Sequence, residues 1–226
     1  MGRPGVDASP ALGDLKVAVN THDVLRWLDA SQKVFAENRQ QLTELDSAVG
    51  DGDFGISLDR GFTAVQSELS ANPPADLRAV FQNAATVLIR TMGGSSGPLL
   101  GTFFLRAGAT CAGKSELAPA DVVALFQAGV EGLQQRGKAV LGDKTMLDAL
   151  IPAVDAMRGA LEAGSDQTEI LERGAAAAEA GVRATITMQA RKGRGSYLGE
   201  RSVGHQDPGA TGSYLLIKAA ADTWRS

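Results

Sequence analysis

From about position 22 onward, apolar side chains recur at helical spacing, and no segment shows a persuasive period of two. A chain patterned this way buries its apolar stripes by packing helix on helix. Leu25, Leu28, Phe35, Leu42 and Leu45 share one stripe, which predicts a single long helix from His22 to about Leu45. Further stripes follow at Leu58, Phe62, Val65 and Leu69; at Leu77, Val80, Phe81, Ala84 and Leu88; at Leu99 and Phe103; and at Val122, Phe126, Val130 and Leu133. The clearest runs through Leu147, Leu150, Val154, Met157 and Leu161, with Pro152 predicting a kink inside it. Asp166 and Glu169, at capping-box spacing, open an alanine-rich helix extending toward Gln189, and a last helix begins near Pro208 and carries Tyr214 to Trp224.

About eight helices result, joined by short turns with no internal linker, so the expected fold is all-α: a single bundle or barrel. Composition agrees. Aromatic residues are only 5% of the 226, and glycine, at 27 residues or roughly 12%, exceeds the usual 7% or so, which favours close helix packing over a β-sandwich. Sixteen of those glycines fall in segments 50–61, 93–101, 137–142 and 193–212, so much of the excess is gathered in about a fifth of the chain. Residues 1–20 read as a loose, unprocessed tail and residues 21–226 as the helical domain.

A net charge of -4 argues against nucleic acid or an anionic membrane as partner, and no apolar run is long enough to span a bilayer. Cys111 is the single cysteine, a small buried hydrophobe on this reading, and no Cys/His cluster offers a zinc site. A reducing cytoplasm is the expected compartment.

Asp46, Asp51 and Asp53 stand among Gly50, Gly52 and Gly55, which let the backbone turn sharply enough for carboxylates to converge. Either this is a solvated acidic turn, or a hard divalent cation such as Mg²⁺ relieves the repulsion. Gly93-Gly94-Ser95-Ser96-Gly97-Pro98 is a helix-breaking loop or an anion site at a helix N-terminus, and it matches neither nucleotide-binding fingerprint of the strand–loop–helix kind. Gly142-Asp143-Lys144-Thr145-Met146 leads another helix, with Asp143 a candidate N-cap. The stretch from Arg191 to Arg201 places arginine in a glycine-lined loop, suited to phosphate or, less well given the charge and few aromatics, to nucleic acid. His205 lies nearby and reads as a loop or supporting residue more readily than as a catalytic one.

Four stretches taken in order, LDSAVGDGDFGISLDRGF (45–62), TMGGSSGPLLGT (91–102), GDKTMLD (142–148) and ARKGRGSYLGERSVGHQDPGATGSY (190–214), resemble the nucleotide-binding L subunit of the dihydroxyacetone kinases. The resemblance covers the chain from about Thr21 to its end. It implies an eight-helix up-and-down antiparallel barrel with ADP or ATP held at one end and two Mg²⁺ bound by Asp46, Asp51 and Asp53. It further implies phosphate contacts around Phe54, Gly55, Ile56 and Ser57 and at Ser95 and Ser96. Gly137 and Met146 would line the adenine pocket, Arg194 would reach a phosphate, and Asp207, Pro208 and Gly209 would close over the nucleotide. Phe54 and Ser57 depart from the family pattern, which commonly has a polar residue and an asparagine there.

Formally, three carboxylates, ADP at about -3 and two Mg²⁺ sum to about -2, which Arg194 and helix N-termini offset. The implied activity is phosphoryl transfer to dihydroxyacetone or a close hydroxyketone. The implied partners are a dihydroxyacetone-binding (DhaK-like) subunit and, in the phosphotransferase-system type, a phosphohistidine donor (DhaM-like) subunit that recharges a retained ADP. An ATP-exchanging kinase subunit, a nucleotide-sensing module without turnover and a homodimer remain open at this point.

Overall fold

The computed structural model describes residues 18–225. Its helices are α1 (Thr21–Glu37), α2 (Arg39–Val49), α3 (Phe54–Ala71), α4 (Leu77–Thr91), α5 (Ser96–Ala109), α6 (Pro119–Gly137), α7 (Leu147–Glu162), α8 (Gln167–Ala184) and α9 (Pro208–Thr223). The long first helix of the sequence reading is two helices. Asn38 ends α1 by donating from its side chain to the Val34 carbonyl (2.8 Å), and α2 restarts at Arg39. The alanine-rich helix stops at Ala184 instead of approaching Gln189. There the Thr185 hydroxyl turns back to the Val182 carbonyl (2.6 Å) and accepts from the Asp207 amide (3.0 Å), so the chain leaves the helix through a 3-10 turn.

Residues 1–17 of the expected tail lie outside the described residues. Val19 and Asn20, also assigned to that tail, are part of the fold. They form strand β1, which pairs antiparallel with β2 (Glu116–Leu117), the short strand element that period-two reasoning does not register. Asn20 and Asp23 cap α1 reciprocally, each side chain accepting from the other's amide at 3.1 and 3.0 Å.

The helices close into a ring. In chain order α3, α4, α5, α6, α7, α8 and α9 each pack on the next, α1 packs on both α3 and α9, and α2 continues the α1 stave against α3 and α9. Eight staves therefore form an all-α up-and-down barrel. With short connections, the N-termini of α3, α5, α7 and α9 gather at one end with the C-termini of α2, α4, α6 and α8.

The few aromatic residues are concentrated inside. Trp27, Phe35, Phe62, Phe81, Phe103, Phe104, Phe126 and Trp224 are all fully buried, each contributing roughly 1.5–3 kcal/mol. Trp27 stacks on Phe104 (centroids 5.7 Å) and meets Trp224 edge-on (4.9 Å). The two indoles donate to the Leu216 and Asp23 carbonyls, which joins α1 to the C-terminal helix at the end opposite the glycine-rich loops. Cys111 is buried, as its composition context suggests.

Glycine does more here than build ligand loops. Gly61 packs against Met92, Gly101 against Ile89 and Gly129 against Phe103, where a β-carbon would intrude on each neighbour. Gly181 of α8 sits against the Asp148 carbonyl of α7. That carbonyl lies four residues before Pro152, which has no N–H to donate to it, so Pro152 is tolerated inside a continuous helix where the neighbouring stave comes unusually close. Among the described residues, many glycines thus serve helix–helix contact as well as the barrel's open end.

Candidate functional site

Four helix N-termini meet at that open end, each carrying a partial positive charge suited to anions, although several of their first amides are already paired, those of α7 with Thr145 and Met146. They surround a cleft of about 540 Å³. One wall is acidic. Asp46, in the last turn of α2, accepts from the amides of Asp53 (2.9 Å) and Phe54 (3.1 Å), so its carboxylate both fixes the 50–53 turn and caps α3. Gly50 lies against this carboxylate where a side chain would collide, and Gly52 takes a left-handed conformation (φ +72°).

The turn brings one oxygen each of Asp46, Asp51 and Asp53 within 4.8 Å of one another. Burial, then the neighbouring Asp51 and Asp46 carboxylates, push the Asp53 carboxyl above its ordinary range, and Arg194 only partly opposes them. Arg194 pairs with Asp51 at 2.8 Å. An all-oxygen donor set with more negative charge than its arginine balances fits a hard divalent cation.

The lining also includes an apolar group, Leu99, Leu133, Ala139 and Met146, and the α5 turn at Gly93, Gly94, Ser95 and Ser96. Ser96 donates to the Gly93 carbonyl (2.9 Å), and Ser95 makes no side-chain capping bond. Asp207 caps α9 by accepting from the Ala210 amide (2.7 Å). Its burial, with a smaller contribution from Asp148, raises its carboxyl to about 7.

Of the residues singled out in the sequence, Asp46, Asp51, Asp53, Phe54, Ser95, Ser96, Gly137, Met146, Arg194, Asp207, Pro208 and Gly209 all line this cleft. Gly55, Ile56 and Ser57 are not in its lining. Gly55 faces the Arg39 carbonyl and Thr43 of α2, Ile56 is exposed, and the buried Ser57 hydroxyl accepts from Arg60 (3.2 Å). Phe54 turns its ring against Gly212 of α9, so an apolar residue after the acidic turn is explained by packing. Asp143 is not the N-cap of α7. Its carboxylate accepts from Val140 (2.9 Å), and the turn before α7 is braced from inside the helix by Asp148, which accepts from Gly142 (2.6 Å) and Thr145 (2.7 Å). His205 is exposed and outside the lining.

Sequence reasoning passed over Arg136, Lys144 and Lys192, which also line the cleft. Lys144 is buried, and its ammonium donates to the carbonyls of Met188 (3.1 Å) and Ser202, the two ends of the loop that carries Arg194. A lysine inside a glycine-led helix entry is a signal for such a role, but its bonding partners are distant in sequence.

Residues 48–222 match the DAK2 domain. The chain is 39% identical over 205 residues to the ADP-binding subunit DhaL of the PEP-dependent dihydroxyacetone kinase of Escherichia coli K12, covering 91% of this chain and 98% of that one. It is 41% identical over 200 residues to the ADP-binding subunit of PEP-dependent dihydroxyacetone kinase 1 of Listeria innocua, covering 88% and 94%. Among solved structures, the dihydroxyacetone kinase of C. freundii in complex with AMP-PNP and Mg²⁺ superposes with a TM-score of 0.70 at 27% identity. That match covers 98% of this chain but spans only 38% of the longer enzyme.

Proposed function

The chain belongs to the DAK2 domain family, and from that premise we propose that it is the nucleotide-binding subunit of a multi-subunit dihydroxyacetone kinase. In this reading it holds Mg²⁺-bound ADP or ATP and passes a phosphoryl group to a hydroxyketone carried by a partner subunit. ADP is retained and recharged by a phosphohistidine protein. The observation that carries the reading is the cleft itself: three aspartates with mutually close oxygens share one cleft with an apolar group and the N-termini of helices, in a chain that spans nearly all of its ADP-binding relatives.

Asp46, Asp51 and Asp53 would hold two Mg²⁺, which when bound neutralise phosphate charge during transfer. The chain's own residues supply orientation and charge. The α5 turn at Ser95 and Ser96 offers hydroxyls and backbone N–H groups to phosphate oxygens. Arg194 adds a planar cation suited to bidentate phosphate contact. Met146, Leu99 and Leu133, with Gly137 leaving room beside them, form an apolar slot of the kind an adenine ring occupies. Asp207 to Gly209 form the remaining edge, where the cap of α9 fixes the backbone. Gly55, Ile56 and Ser57 stay outside this assignment because they do not line the cleft. A cytoplasmic setting accompanies the reading, and among the described residues no helix is long and apolar enough to cross a membrane.

The AMP-PNP in the C. freundii structure favours a second reading, in which nucleotide exchanges freely as ATP. One experiment separates them. Purified protein dialysed extensively against Mg²⁺ buffer is weighed by native mass spectrometry, then mixed with dihydroxyacetone-binding and phosphodonor subunits. Retained ADP with two metals and formation of sugar phosphate are expected. An empty protein active only with added ATP overturns the cofactor version, and no turnover with either donor overturns the kinase reading.

A further inference from the structure

The segment carrying Arg194 is a run of short turns, Arg194–Ser202, with left-handed Gly193 (φ +66°) and Gly199 (φ +56°), and its Arg191, Lys192, Arg194 and Arg201 side chains are exposed. Beyond a contact with α2, where Gly195 lies against Val49, little packing of its own holds such a segment still. What the structure does provide is a closed base. The Lys144 ammonium donates to carbonyls on both ends, Met188 and Ser202, the Ser202 hydroxyl accepts from Ala190 (2.9 Å), and the Arg191 amide donates to the Asp143 carbonyl (3.0 Å).

Lys144 reaches this position from a left-handed backbone (φ +62°), which is unfavourable for an L residue, and it buries an ammonium among carbonyls. An apolar side chain would fill the same space without desolvating a charge, so packing alone does not account for a lysine. Asp148 braces the turn that imposes this conformation by accepting from the amides on either side of it, Gly142 and Thr145.

We propose that Lys144 is a positioning residue for Arg194: by tying residues 188 and 202 together it closes the loop and holds the guanidinium over the aspartate cluster. The proposal rests on the reading of the cleft as a Mg²⁺-nucleotide site. It assigns Lys144 no contact with the nucleotide and predicts that its effect travels through Arg194. Two such residues act as a unit, so their losses do not add.

The test is a double-mutant cycle on the full chain, with Mg²⁺-ADP as the titrant, alongside trypsin digestion of the nucleotide-free protein. Lys144→Met is expected to weaken Mg²⁺-ADP binding about tenfold and Arg194→Gln by at least as much, with the double variant no weaker than Arg194→Gln alone. Lys144→Met should also speed cleavage between Arg191 and Arg201, and Lys144→Arg, which keeps donors for both carbonyls, should restore both properties. Losses that add in full, or cleavage as slow as in the parent protein, overturn the proposal. If the parent protein binds no Mg²⁺-ADP, the nucleotide reading fails on that result, and the cleavage rates still decide whether Lys144 closes the loop. Should Lys144→Met not fold, Lys144→Gln, which keeps one donor, is compared with Lys144→Arg by the same two measurements.

Discussion

The guanidinium of Arg194 lies 2.8 Å from a carboxylate oxygen of Asp51, joining two residues of the cleft lining that are far apart in sequence. The pair places a cation beside a cluster of three carboxylates, where it attracts anionic ligands and repels cationic ones. Arg194→Gln should therefore have opposite effects on two ligands. Mg²⁺ alone should bind more tightly, because a neighbouring positive charge is gone, and Mg²⁺-ADP should bind more weakly, because a phosphate partner is lost. Titration calorimetry with each ligand distinguishes this from general damage to the site, which would weaken both.

Asp53 carries the strain of the acidic wall. Its carboxyl is raised by burial and by Asp51 and Asp46, and its side chain makes no capping bond to α3. Asp53→Asn should leave the ligand-free protein as stable as before or slightly more so, by less than about 1 kcal/mol because the residue is only partly shielded and solvent screens its charge. The same change should abolish the rise in Tm that Mg²⁺-ADP produces. Melting curves with and without ligand check both halves, and a large loss of stability in the ligand-free variant would contradict the repulsion argument.

Asp207 gives a pH dependence of defined sign. Burial raises its carboxyl to about 7 in the folded protein, whereas an unfolded aspartate titrates near 3.9. Between those values the folded state binds the proton more tightly, so this group's stabilising contribution is complete at low pH and is lost as pH rises from about 4 through 7. The difference in Tm between the parent protein and Asp207→Asn, followed over that range, should move steadily against the parent. A flat difference would mean that Asp207 is ionised in the folded protein throughout.

Gly181→Ala tests the close approach of α7 and α8. The added methyl meets the Asp148 carbonyl, a rigid backbone atom, so the staves must separate at a cost of about 1–3 kcal/mol. Chemical denaturation measures it. Gly159→Ala, with open space around its β-position, is the control expected to change little or to stabilise.

The stripe from Leu147 to Leu161 and the boundaries at Asp166 and Pro208 are legible from spacing and capping chemistry alone, because these signals involve residues three or four apart. The break at Asn38 is not, since the apolar stripe continues through it while the backbone at Asn38 leaves helical geometry and its side chain bonds back to Val34. Asp143 misleads for a related reason. A glycine-led aspartate before a helix has the form of a cap, yet its carboxylate turns to Val140, and the bracing comes from Asp148 inside the helix. The acidic turn and the α5 turn are visible as motifs because their residues are contiguous, and their presence on one cleft with the N-terminus of α9 is not.

What the sequence determines by itself is local: helical periodicity, where glycine and proline interrupt it, and which short segments carry carboxylates, hydroxyls and arginine. The tertiary structure decides which ends of the helices meet. Closing eight staves into a ring puts alternate N-termini at one end and brings Asp51 to Arg194 and Lys144 to Met188 and Ser202, residues 44 and 58 positions away in the latter pair. It also decides that Gly55 serves helix packing while Gly50 and Gly52 shape the acidic turn, because a missing side chain looks the same in sequence whether it admits a neighbouring backbone or a carboxylate.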